Sequence, residues 1–323
     1  MGAIEGMDLG RYGIWTFDFE EQPASLIRES VQELEEAGWP AVWIPERDGR
    51  EAMTHAGFLL ASTERIAVVN GIARIWSRGA LWTRGAAWLL ADAYPGRHLL
   101  GLGFGGEPHA ETTPLRAMSA YLDEMDATAN ANPEPAAPVR RVLAAYGPKM
   151  LAMARDRSAG AHTYHVTVEH TARAREVLGK RPFLGVEQAV LFESDPGRAR
   201  EIAREHLSGY LKEKYNVAKF LRLGYTEDDV REGSDRLVDD LVVWGDLDAI
   251  VRRLNDHLGA GADHVGVQVI GVEPGRTAMP QWRRLAEALV PGPGPCSGPG
   301  PATLSYLVVI HRCGLCRLVV RNA

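Results

Sequence analysis

Residues 144–165 read AAYGPKMLAMARDRSAGAHTYH, and this stretch decides the fold. A strand of small residues ends at Ala144–Ala145 and turns at Gly147–Pro148. A helical pattern follows at once, and a second short strand begins at Gly160–Ala161. A strand that runs straight into a helix leaves the helix's first N–H groups without partners. Those groups point outward and suit a phosphate. Lys149 adds positive charge beside them. The unit is β–α–β, and it suggests an enzyme that grips a phosphorylated cofactor.

Extending the same alternation in both directions gives eight apolar strands, at residues 12–16, 41–45, 66–72, 98–103, 141–145, 161–165, 183–192 and 264–270. Between them lie amphipathic runs. One has Ile27, Val31 and Leu34 on one face and closes at Gly38. A second uses Leu81, Gly85, Trp88 and Leu89. A third carries Met118, Tyr121, Leu122 and Met125. A fourth begins at Asp246 and continues through Leu247, Ile250, Val251, Leu254 and Leu258. Residues 195–241 read as one long helical region, and residues 283–289 start a last helix. Eight apolar strands separated by helices predict a (β/α)8 TIM barrel with insertions, whose parallel strands are buried on both faces.

The bulk numbers exclude several classes. Of the 323 residues, 46% are hydrophobic and 24% charged, which is the balance of a globular protein. The net charge is −6 and no Lys/Arg block stands out, which argues against nucleic acid as a partner. No apolar run approaches the roughly 18 residues of a membrane span, and the N-terminus has no apolar signal core. The three cysteines, Cys296, Cys313 and Cys316, all lie near the C-terminus. A disulfide framework for the body is therefore excluded, and a cytoplasmic location is expected. From Pro291 the chain becomes PGPGPCSGPGP and then an apolar, basic run. Residues 1–290 are expected to form the barrel, and residues 291–323 a disordered or non-native tail.

Strand C-termini form the working face of such a barrel. Glu46, just past the second strand, is a candidate acid/base or ring-positioning group, with a solvated charge beside Arg47 as the plainer reading. Glu107 is a second candidate of the same kind, and Trp76 is expected to wall the pocket, in company with Trp15 and Trp43, although alternation along the strands makes at least one of the three a core or outer-layer residue. His162 shares a strand face with Tyr164, and a structural histidine is the simpler reading there. Gly101, Gly103 and Gly106 spell G-x-G-x-x-G, but they follow the fourth strand, and Pro108 and Pro114 delay the helix. A dinucleotide fingerprint is excluded on that context, and the glycines are expected to let a planar ligand approach. His109, His162 and Glu107 lack metal spacing, and His311 with Cys313-x-x-Cys316 makes only half a zinc site, so no metal is expected.

Six segments carry a resemblance to a known family: residues 33–46 (ELEEAGWPAVWIPE), 69–76 (VNGIARIW), 94–103 (YPGRHLLGLG), 118–126 (MSAYLDEMD), 142–170 and 233–268. Together they make the chain resemble the luciferase-like monooxygenase superfamily, within it the oxidoreductases that use the deazaflavin coenzyme F420, over nearly all of residues 10–290. The resemblance implies a TIM barrel, often dimeric, that takes a small-molecule substrate. It implies a cofactor ring over the strand C-termini against a bulge at Gly71–Ile72, often a non-prolyl cis peptide. It assigns the phosphate loop to Ala145, Tyr146, Gly147 and Met150. Coenzyme F420 is the expected cofactor, with hydride transfer as the activity, and FMN with oxygen activation is the alternative. Arg74 stands where relatives often carry Asn, a Ser-His pair is missing near Gly105–Gly106, and the loop from Glu107 to Pro114 is short. These departures keep a catalytically silent barrel as a third reading.

Overall fold

The computed structural model describes residues 4–47, 49–105, 111–127 and 132–290. Ten strands occur among them: β1 (Tyr12–Trp15), β2 (Ala41–Ile44), β3 (Ala67–Asn70), β4 (Ala73–Arg74), β5 (His98–Gly103), β6 (Arg140–Ala144), β7 (Gly160–Thr163), β8 (Phe183–Leu191), β9 (Val242–Trp244) and β10 (His264–Val269). Eight of them close a parallel barrel in the order β1–β2–β3–β5–β6–β7–β8–β10. Closure is made by β10, which pairs with β8 through Val265↔Val186 and with β1 through Val265↔Tyr12. These eight are the strands expected from the sequence. Nearly every residue in them is buried, as a sheet packed on both faces requires.

The helices are α1 (Asp18–Glu21), α2 (Ala24–Glu36), α3 (Ala52–Ala61), α4 (Ala80–Ala93), α5 (Pro114–Ala127), α6 (Pro148–Arg157) and α7 (Val168–Leu178). They continue with α8 (Pro196–Leu207), α9 (Lys214–Arg222), α10 (Glu227–Glu232), α11 (Asp235–Leu241), α12 (Leu247–Gly259) and α13 (Met279–Leu289). The expected stripes of α2, α5 and α12 pack inward through Ile27, Val31, Leu34, Met118, Leu122, Ile250 and Leu254. Beneath the helices, Trp15, Trp43, Val69, Leu99, Val142 and Phe183 fill the barrel interior.

Three expectations are corrected. The region 195–241 is four helices, α8 to α11, rather than one. Gly224 and Gly233 take left-handed conformations with φ of +95° and +60°, and Thr226 opens α10 with a capping box against Asp229. Strand β9, which follows α11 without a turn and extends the sheet beside Leu191, carried no alternating signal. In α4 the buried face is Ala80, Thr83, Ala87, Leu90 and Ala91, while Leu81, Trp82 and Leu89 are 42%, 73% and 64% exposed. Small residues let α4 lie close, with the Thr83 hydroxyl against that of Tyr121 on α5. Side-chain size, not hydrophobicity, chose the inner face.

The glycines of β5 also serve another purpose than expected. A Cβ on Gly101 would collide with the Asn70 carbonyl oxygen, and one on Gly103 with the Ile72 side chain. They give room to the end of β3, not to a ligand. Among the described residues, no helix is long and apolar enough to cross a membrane. The expectations for Gly106, Pro108, His109 and residues 291–323 lie outside the described residues.

Candidate active site

A cleft of about 1050 Å³ opens at the C-terminal ends of the strands. Its floor is Trp15, Gly71, Ile72, His162, Tyr164 and Gln268. One side is Ala144, Tyr146, Gly147 and Met150. The segment from His206 to Arg222, inserted after β8, forms an upper wall.

The floor is built on a bulge. Strand β3 stops at Asn70, the Gly71–Ile72 peptide is cis, and β4 resumes at Ala73. The expected cis peptide therefore lies at the expected residues. The Gly71 N–H donates to the Ile44 carbonyl at 2.7 Å, and the Glu46 N–H donates to the Ile72 carbonyl at 3.2 Å. Asn70 is fully buried; its Nδ2 donates to the Ala52 carbonyl and its Oδ1 pairs with His98 Nε2 at 2.9 Å. A side chain at Gly71 would press on Trp15 Nε1, 2.7 Å from the Cβ position. Glycine is thus required there by the indole.

Glu46 reaches the cleft, but its carboxylate is committed. It accepts the Arg74 N–H at 2.6 Å and the Ala52 N–H at 3.4 Å, and it pairs with the Arg78 guanidinium. Arg78 also pairs with Glu51 at 2.8 Å. Glu46 is a staple across the bulge, and the solvated-charge reading beside Arg47 is set aside. Trp76 does not line the cleft. It is 41% exposed and stands edge-on to Phe104 at 5.2 Å, and Phe104 is the wall. The Ile75 N–H bonds to the Gly103 carbonyl, which commits that turn of chain to β5. Glu107 lies outside the described residues.

The strand–helix junction takes the expected form. Gly147 is the N-cap of α6, no side chain caps it, and Pro148 in the first turn has no N–H to offer. A Cβ at Gly147 would meet nothing within 4 Å. Tyr146, Gly147 and Met150 face the cleft, whereas Ala145 does not: it is 1% exposed, and its N–H donates to the His162 carbonyl at 3.1 Å.

Behind Tyr146 lies a buried ionisable layer that the sequence reading missed. Lys219 from α9 donates to the Tyr164 carbonyl at 3.0 Å, with its ammonium 4.6 Å from the centre of the Tyr146 ring. Burial lowers its pKa to about 7, against the pull of Glu187 and Glu213. Burial raises Glu187 to about 8, opposed by the His165 N–H and by Lys219. Both shifts run towards the neutral forms, so desolvation outweighs the attraction between the two groups. His165, two residues beyond the end of β7, has φ of 49° and no ring hydrogen bond among the described residues.

Other cleft residues were also missed. Asp18 follows β1 as Glu46 follows β2, and the same strand-end rule points to it. Burial raises its carboxyl to about 6, although Oδ2 accepts the Ala278 N–H at 2.8 Å. On the floor the Tyr164 hydroxyl donates to Gln268 Oε1 at 3.1 Å, and the Tyr210 hydroxyl sits 3.1 Å from Tyr164. Among the described residues no group of three His, Cys, Asp or Glu could hold a metal ion.

A closed parallel barrel with surrounding helices and a cleft over its C-terminal face is a TIM barrel. Residues 10–126 match the family model described as luciferase-like monooxygenase, which bears out the superfamily resemblance. No curated protein matches the chain. Solved structures do. An F420-dependent secondary alcohol dehydrogenase in complex with an F420-acetone adduct is 14% identical with a TM-score of 0.68, covering 87% of this chain and 98% of its own. The coenzyme F420-dependent tetrahydromethanopterin reductase of Methanopyrus kandleri is 16% identical with a TM-score of 0.66, again covering 87% and 98%. The FMN-bound oxygenating constituent of 3,6-diketocamphane monooxygenase from Pseudomonas putida is 15% identical with a TM-score of 0.60, covering 87% and 96%.

Proposed function

We propose that the protein is a cytoplasmic, coenzyme F420-dependent oxidoreductase that moves a hydride between the deazaflavin and a small organic substrate. The observation that carries this reading is the opening of the Gly71–Ile72 bulge and the uncapped start of α6 onto one cleft. The cleft has the size of a cofactor site. The open space at Gly147 leaves room for a phosphate at the start of α6. The two F420-dependent relatives, with TM-scores of 0.68 and 0.66, support the deazaflavin over FMN.

Ile72, with Gly71, would support the ring, and Tyr146, Gly147 and Met150 would hold the phosphate tail. Ala145 would act only through the strand it anchors. When bound, the cofactor supplies the hydride chemistry at its C5. Glu46 holds the bulge in shape. Asp18 Oδ1 takes or returns the proton that accompanies hydride transfer, since a carboxyl near pKa 6 can do either close to neutrality. Glu107 keeps its place as a second acid/base candidate. The upper wall from His206 to Arg222 faces the substrate, and Tyr164 with Tyr210 orders the floor beneath it. The exposed apolar stripe of α4, with Leu81, Trp82 and Leu89, supports a homodimer with α4 at the interface.

Titration of the purified protein with F420 and with oxidised and reduced FMN, followed by fluorescence, tests the reading. Tight binding of F420 alone is expected. Tight binding of FMN alone would replace it with the flavin monooxygenase reading. Binding of neither would leave a catalytically silent barrel.

A further inference from the structure

Two polar atoms at the cleft floor, Trp15 Nε1 and His162 Nε2, are buried and have no hydrogen-bond partner among the described residues. Their side chains belong to residues only 2% and 3% exposed, and both residues line the cleft. The two atoms have opposite hydrogen-bonding sense. An indole N–H can only donate. His162 Nδ1 lies 3.2 Å from the Gly185 carbonyl, which can only accept, so the ring proton sits on Nδ1 and Nε2 is left as an acceptor. Burial keeps that imidazole neutral.

The two rings border a common neighbour. His162 stacks on Trp43, with centroids 4.5 Å apart and planes at 28°. The Cε3 edge of Trp43 and the Nε1 of Trp15 lie 3.3 Å and 2.7 Å from one point, the Cβ position of Gly71 at the bulge. The Trp43 N–H is itself occupied by His264 Nε2 at 2.9 Å, so it does not satisfy His162. One buried donor and one buried acceptor, both unpartnered among the described residues, therefore sit on residues that line the floor around the bulge. Buried polar groups in folded proteins are almost always paired, so this pair is shaped for a ligand that brings the complementary set.

We infer that Trp15 and His162 read the imide edge of a planar heterocycle, Trp15 Nε1–H donating to a ring carbonyl and His162 Nε2 accepting the adjacent ring N–H. The inference rests on the proposed cofactor reading and deepens it. A pyrimidinedione edge of this kind is common to deazaflavins and flavins. The inference fixes how the ring enters: the dione edge points down into the barrel, and the opposite edge faces the mouth. It also makes the pair indifferent to the F420–FMN choice, which must be made elsewhere in the cleft.

The test uses FMN and F420 carrying 15N at N3, bound to the full-length protein. The N3–H cross-peak of whichever cofactor binds is expected to survive in the complex, shifted downfield and protected from exchange with water. In His162→Phe the cross-peak is expected to broaden into exchange, and affinity to fall about tenfold. Trp15→Phe, which keeps an aromatic ring without the donor, is expected to weaken binding by a similar factor while N3–H protection persists. A tightly bound cofactor whose N3–H exchanges as freely as in solution would overturn the inference and leave the cofactor reading standing. Unchanged affinity in both variants would do the same. Binding of neither cofactor would bring down both together. If His162→Phe does not fold, the wild-type spectrum and Trp15→Phe decide the matter.

Discussion

Acidification should unfold this protein at a mildly acidic pH, because its histidines are buried neutral. Burial lowers His55, His98, His206 and His264 to about 4, and His162 and His257 to about 3. Hydrogen bonds reinforce this. His264 Nε2 accepts the Trp43 N–H, so a proton there would face a donor. His257 Nε2 sits 2.8 Å from Gln188 Oε1, whose amide nitrogen is committed to two carbonyls, so Nδ1 must accept from Thr171. Each folded pKa is depressed below the unfolded value near 6.5. The stabilisation is therefore complete above about pH 7 and is lost as pH falls towards 4. At pH 5.5 an unfolded imidazole is about nine-tenths protonated and the folded ones hardly at all, a difference of about 1.4 kcal/mol per histidine. Six histidines lose roughly 8 kcal/mol, which is comparable with the whole stability of a domain.

Two carboxyls oppose this loss. Asp18, near 6, and Glu187, near 8, keep protons that unfolded carboxyls release, so they penalise the fold above about pH 4 and relieve that penalty as pH falls. Between pH 7 and 5.5 they return on the order of 3 kcal/mol. The expected midpoint of acid unfolding is then between about pH 5 and 6, in a steep transition that takes up several protons. Far-UV circular dichroism and tryptophan fluorescence along a pH titration measure it, and urea unfolding at pH 7.5 and 6 gives the slope. A native signal persisting at pH 4, or a slope of a single proton, would refute the reasoning.

Two mutations test the function and the assembly. Gly147→Asp enters open space at a φ of −85° that does not need glycine, and an aspartate N-cap should hold or slightly raise the melting temperature. The same carboxylate lies where the phosphate is proposed to bind, so affinity for the phosphorylated cofactor should fall at least tenfold; unchanged affinity in the folded variant would remove the phosphate assignment. Trp82→Glu, at a side chain 73% exposed, should change stability by less than about 0.5 kcal/mol and convert a dimer to a monomer in light scattering; a persisting dimer would exclude α4 as its interface.

The barrel was legible because its strands are buried on both faces and therefore apolar throughout, and the residues between them repeat at helical spacing. Legibility ended where a different constraint took over. In α4 the need for close approach put Ala80, Thr83 and Ala87 inward and sent Leu81 and Trp82 out, which a hydrophobicity pattern reads backwards. In the site, Gly147 was visible because a strand that runs straight into a helix leaves N–H groups free, and Gly71–Ile72 was visible through the family resemblance. Side-chain direction was not. One residue of alternation separates Ala145, whose N–H is spent in the sheet, from Tyr146 on the wall, and Trp76 yields the wall to Phe104. Lys219 and Glu187 are far apart in sequence, and only the fold brings them beneath the cleft. Asp18 could have been found by applying to the first strand the rule used on the second.

The two halves of the cleft are built by different means, and this bears on how such a protein divides its tasks. The floor is over-determined. Glu46, Asn70 and two glycines of β5 each fix the bulge through separate contacts, and Trp43 with His264 plugs the barrel below it. Rigid support of this kind is what orienting a ring requires, since a misplacement of about 1 Å can cost a hundredfold in rate. The upper wall belongs to a run of short helices between β8 and β9, a run that is broken beyond the wall at Gly224 and Gly233. Changes there need not disturb the barrel closure through β8 and β10. Under the proposed function, cofactor reading belongs to the floor, and substrate choice to the segment from His206 to Arg222.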